Sequence, residues 1–151
     1  MSTDWPDALH APDGARIQQA LEEFWLLLAQ LAESLAAREI LLASERATAL
    51  RSLVLELMLA LNGIRRPVQI RSLNRYLSQS QREALKKTLI TPRPDSDAYI
   101  GQAVALVVIY RWYAPQLVDK FGLAYPAVAE QEVWQRISRL LPDWPLSVTT
   151  D

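Results

Sequence analysis

The sequence predicts an all-α fold, a single-domain helical bundle of about five to six helices. Three observations predict it. Apolar residues recur at spacings of three and four along most of the chain, only four of 151 residues are glycine, and none of those lies between Ala15 and Asn62. With half its residues apolar, a chain of this length can bury one substantial core, and the expected division is a tail over 1–12, a helical domain over 13–141 and a second tail over 142–151.

The first helix is read from Ile17, Leu21, Phe24, Leu28, Leu31, Leu35 and Leu42, one stripe along one face, with Asp13 as its N-cap. Arg38 interrupts the stripe. A second helix over 45–61 buries Leu50, Leu53, Leu57 and Leu61. Ser44 is its expected cap, Gly63 its stop, and the reversal between the two helices is placed near Ala43–Ser44. These two long helices are expected to run antiparallel and to pack on a central apolar helix. Pro67 marks a connector over 64–70. Two short helices follow, Leu73–Leu77 and Gln81–Leu89, the second opened by a capping box of Ser80 and Glu83. After the loop Thr91–Asp95 comes the central helix, 97–113, apolar nearly all round and ended or kinked at Pro115, with a short turn closed by Gly122. Pro126 opens a last helix through Leu141, with Trp134 on its inner face.

Composition narrows the chemistry. There is no cysteine, so disulfides, thiolate zinc sites and iron–sulfur clusters are excluded. His10 is the single histidine, in a Pro/Asp-containing stretch. No phosphate-binding loop, dinucleotide fingerprint, nucleophile elbow or paired-histidine metal motif is present, and neither a metal nor a cofactor is expected. Glu22 and Glu23 are adjacent on a helix and point apart. Asp95 and Asp97 bracket a helix start, where capping accounts for them, and Glu130 and Glu132 are read as a solvated helix face. No catalytic residue is assigned and the protein is read as a non-enzyme. The longest apolar run, Ala103–Tyr110, is too short for a membrane span, and no leader is recognised at Met1–Pro12, so the location is read as cytoplasmic.

Charge is the most informative pattern. Residues 1–63 hold four basic and nine acidic side chains, residues 64–93 eight basic and one acidic, and the remainder four basic and seven acidic. The basic middle contains Arg65, Arg66, Arg71, Arg75, Arg82, Lys86, Lys87 and Arg93, with Arg71/Arg75 and Arg82/Lys86 four residues apart, as if each short helix offered a basic pair on one face. Such a face suits an anionic partner. The plainer reading, that these cations neutralise the acidic helices, is weighed beside it. The aromatic cluster Tyr110, Trp112 and Tyr113 is read first as core packing and second as an interface. Asp-Trp-Pro occurs at Asp4–Pro6 and Asp143–Pro145, so that Trp5 and Trp144 are expected to fold back on the bundle or dock on a partner.

Together these features give the expectation of a non-enzymatic, protein–protein interaction and regulatory adaptor, meeting a partner with an acidic surface. An RNA- or DNA-binding role for 64–93 is the alternative. The stripe Ile17–Leu42 is also long enough to be the seam of a homodimer.

Overall fold

The structure, a computed structural model, describes residues 9–67, 72–89 and 95–144. Five α-helices pack against each other: α1 Gly14–Ala36, α2 Ile40–Leu61, α3 Gln79–Lys87, α4 Ser96–Phe121 and α5 Ala127–Leu140, with a 3₁₀ turn at Asn74–Tyr76. The all-α bundle stands as expected. Among the described residues no strand forms, only an isolated bridge in which Arg65 N–H donates to the His10 carbonyl at 2.8 Å.

α1 starts where Asp13 accepts from Ala15 N–H. Its stripe of Ile17, Leu21, Phe24, Leu28, Leu31 and Leu35 is buried, and Trp25, Ala29 and Ala32 widen it. The stripe is therefore filled from within the chain: only Leu42 of it is exposed, and that residue belongs to α2. The reversal falls at 37–39, earlier than expected. Arg38 adopts the left-handed conformation (φ 61°), with Arg38 N–H on Leu35 O and Glu39 N–H on Ser34 O closing the helix. Ser44 consequently lies inside α2 and caps nothing. The same paired closure ends α2 at Gly63 (φ 85°). Arg16 contacts Glu56 while Gln30 contacts Arg46, so the hairpin is antiparallel.

The basic middle forms less helix than predicted. Leu73–Leu77 is a three-residue 3₁₀ turn, and α3 is capped by a reciprocal pair two residues earlier than expected: Ser78 Oγ accepts from Gln81 N–H, and Gln81 Oε1 from Ser78 N–H. Gln81 also exchanges hydrogen bonds with Asn62 at 2.7 and 3.1 Å, tying this segment to the end of α2. α4 begins at Asp95, whose carboxylate accepts from Ala98 N–H, and runs through Pro115 to a left-handed Gly122. A mid-helix proline costs about 3 kcal/mol. Here the buried face Tyr110, Ala114 and Leu117 continues across it, while the ring lies on the exposed side. α4 packs on α1, α2 and α3 without being enclosed, since Val108 and Trp112 are exposed. α5 lies beside α1, with Trp134 against Trp25 (ring centroids 5.8 Å) and Arg136 paired with Glu33. Trp144 folds back as predicted and is buried, 6.4 Å from Trp134; Trp5 lies outside the described residues. No helix among the described residues is long and apolar enough to cross a membrane.

Candidate functional site

Because α1 packs on α2 along one flank and on α4 and α5 along the other, a single strip of it remains open. Ala15, Gln19, Glu22 and Leu26, spaced four, three and four apart, run along this strip, with Gln18, Glu23, Leu27 and Gln30 at its edges. They line a shallow, open trough of about 710 Å³, every lining residue of which belongs to α1. Its apolar floor includes Leu26, 55% exposed.

The edges are fixed by hydrogen bonds. On the α2 side, Arg16 makes a two-pronged contact with Glu56 at 2.7 and 2.8 Å and reaches Glu23 at 3.3 Å. The hydrogen bond to Glu56 holds the guanidinium more firmly protonated than an ordinary arginine. On the other side Gln18 clamps the α4–α5 connection, donating to Ala124 O and accepting from Ala124 N–H, both at 2.9 Å. Gln30 accepts from Arg46 at 3.1 Å. Glu22 differs. It accepts only from Gln18 (3.2 Å) and has no ion pair among the described residues, so its negative charge faces the trough uncompensated.

Where α4 and α5 meet α1 lies a network that pattern reading missed. Glu130 was expected on a solvated face, yet its side chain is only 15% exposed. It accepts from Arg111 (2.6 Å), Tyr125 and Trp134 (3.2 Å), which offsets its removal from water. Tyr110 is fully buried, donating to Leu21 O at 2.9 Å and accepting from Trp25 Nε1–H at 3.1 Å. Burial pushes its hydroxyl well above the ordinary tyrosine range, with Tyr125 adding. Tyr125 is raised too, by burial and then by its bond to Glu130. The signal in the sequence was the placement of Arg111 and Glu130 within two aromatic-rich segments, but helical periodicity carries no information about a partner 19 residues away.

The residues of the predicted basic face divide between inward contacts and exposed positions. Arg82 turns inward to Leu77 O (2.7 Å) and Asn74 O (3.1 Å), Arg66 donates to Ser52 O (2.8 Å), and Lys86 meets Glu83 at 3.4 Å. Arg65, Arg75 and Lys87 are exposed, while Arg71 lies outside the described residues. Of the aromatic cluster, Tyr110 belongs to the core, Tyr113 is half-buried and Trp112 stands out, 63% exposed. No group of three or more His, Cys, Asp or Glu side chains among the described residues is placed to hold a metal ion.

Against known protein families, the streptomycin adenylyltransferase family matches residues 2–140, nearly the whole chain. The chain belongs to that family. No curated protein and no solved structure matches it. Membership of an adenylyltransferase family overturns the expectation of a non-enzymatic, regulatory adaptor. The error was physical in origin: it inferred the absence of chemistry from the absence of short catalytic motifs, and a helical body that shapes a substrate site need carry none.

Proposed function

We propose that the protein acts in adenylyl transfer from a nucleoside triphosphate to a hydroxyl of an aminoglycoside of the streptomycin kind, and that the α1 trough receives the acceptor. The family match over residues 2–140 carries this reading. The trough supports it, because an aminoglycoside is a hydroxyl-rich polycation. Glu22 offers it an uncompensated carboxylate, Gln19 and Gln30 offer amides, and Leu26 and Leu27 offer an apolar floor for the ring faces.

In the reaction, the acceptor oxygen bonds to the α-phosphorus, the bond from that phosphorus to the bridging oxygen breaks, pyrophosphate leaves, and a base takes the hydroxyl proton. Divalent metal commonly supplies charge neutralisation in such transfers. The described carboxylates of this chain do not gather into a site for one, so no step is assigned through it. What these residues do is bind and orient. Arg16 and Gln18 lock the two edges of the trough, and Glu22 holds the cation at a fixed distance along α1. A nucleoside triphosphate donor supports the reading of a cytoplasmic activity.

The test pairs calorimetric titration of streptomycin with a turnover assay using labelled ATP and magnesium. Streptomycin should bind, and Glu22→Gln should weaken binding roughly two- to five-fold, the scale of one solvent-exposed ionic contact. Equal binding by the variant discards the trough. Absence of both binding and adenylylated product from the wild type discards the acceptor class.

A further inference from the structure

Two arginines contact lining residues of the trough on its α2 side, and the fold compensates only one of them. Arg16 is bound by Glu56 and Glu23. Arg46, half-buried on α2, has no ion pair among the described residues. Its Nη1–H donates to Gln30 Oε1 at 3.1 Å, its Nε–H is buried without a partner, and its Nη2 makes no hydrogen bond among the described residues. Glu23 and Glu33 of α1 are taken by Arg16 and Arg136, and Glu39 and Glu45 of the α2 side make no ion pair with Arg46. A half-buried guanidinium with an idle donor is costly, and it is the arrangement expected where an anion completes the shell.

The surroundings identify the anion. Glu22, Leu26 and Gln30 follow one another at intervals of four along α1, so Gln30 lies about 12 Å beyond Glu22 with Leu26 midway. With Arg46 bonded to Gln30, the trough has a negative stretch and a positive end. One turn from Arg46 on the same face of α2 stands Leu42, apolar and exposed. A polyphosphate that carries a flat, largely apolar ring matches this pair, the guanidinium taking phosphate oxygens and Leu42 a ring face. We propose that Arg46 holds the phosphates of the nucleoside triphosphate donor, with Gln30 steadying the guanidinium and Leu42 against the base. The inference rests on the adenylyl-transfer reading above and extends it: the cationic acceptor at Glu22 and the anionic donor at Arg46 meet over Leu26. There Arg46 offsets the charge that builds on the phosphates as pyrophosphate leaves.

Calorimetric titration with ATP and with inorganic tripolyphosphate, each run apart from streptomycin, reads this site directly. Both should bind the wild type, ATP more tightly because it alone carries the ring. Arg46→Met keeps an apolar stem and removes the cation. It should weaken both probes about ten-fold, the scale of one charge-assisted hydrogen bond. Streptomycin binding should be unchanged, since Glu22 lies beyond the screening length of about 8 Å at physiological salt. The variant should also melt no lower than wild type, because the Nε–H it loses has no partner. Arg46→Lys retains the charge and should lose less affinity, which keeps the test decisive if the methionine variant folds poorly. Leu42→Ser should weaken ATP and spare tripolyphosphate. Arg51→Gln removes a charge about 140° round α2 from Arg46 and should change neither. Unchanged ATP affinity in Arg46→Met, or an equal loss in Arg51→Gln, would overturn the proposal. The two readings fail separately. Wild type that binds streptomycin but neither phosphate probe removes the donor site and leaves the acceptor trough, whereas ATP bound through Arg46 without streptomycin binding does the reverse.

Discussion

Removing one oxygen atom, by Tyr110→Phe, tests whether the buried polar network under α1 stabilises the bundle. The ring should stay in place, stacked on Phe24 at 4.0 Å and edge-on to Trp25 at 5.2 Å. What is lost is the acceptor for Trp25 Nε1–H, a donor on a fully buried side chain, while Leu21 O keeps its bond within α1. A buried donor left without a partner costs about 1–3 kcal/mol. For a domain of this size each kcal/mol lowers the melting temperature by about 2–4 °C, so the variant should melt roughly 2–12 °C lower at neutral pH.

A second arm uses alkali. The native Tyr110 hydroxyl is held protonated by burial, whereas an unfolded tyrosine ionises near pH 10. A folded pKa above the unfolded one gives stability that is complete below about pH 10 and is lost as pH rises beyond it, by at most about 1.4 kcal/mol per pH unit for one group. Tyr125 acts in the same direction, less strongly because it is more exposed to solvent. Urea denaturation at pH 7, 10 and 11 therefore measures both effects. A variant as stable as wild type at pH 7, or one with the same alkaline slope, would refute the assignment of the Tyr110 hydroxyl as the buried acceptor for Trp25 Nε1–H.

Other substitutions address single links. Gly101→Ala, measured at low micromolar concentration, should raise stability by about 0.5–1 kcal/mol, because the site is mid-helix with open space beside it; a loss of stability would show a hidden contact. Gln81→Ala removes both the α3 cap partner and the mate of Asn62. It should cost about 1–3 kcal/mol and speed amide exchange within α3 while leaving α1 protected, and unchanged exchange in α3 would count against the cap.

Much of the fold was legible because it depends on local rules. Asp13 announces the start of α1, Gly63 the end of α2, and the three-and-four spacing of Ile17 to Leu35 identifies the inward face. These features need only a helix and its nearest neighbours. Where local rules misled, a tertiary contact had overridden them. The chain reverses at Arg38 without a glycine, since packing α1 on α2 repays a left-handed arginine, and α4 passes through Pro115 because Ala114 and Leu117 continue the buried face on either side of it.

The sequence by itself determined the helical class, the inward faces, the cap of α1 and the uneven distribution of charge, all of which follow from the chemistry of residues within a turn of one another. Only the tertiary structure decided which charges are compensated. Arg82 and Arg66 are occupied by backbone carbonyls, Glu130 is drawn inward to Arg111 and Tyr125, and Glu22 is left facing open space. The physical reason is range. Hydrophobic periodicity reports the side of a helix that avoids water, whereas a charge acquires its role from whatever the fold brings within about 4 Å of it, and that group can come from anywhere in the chain.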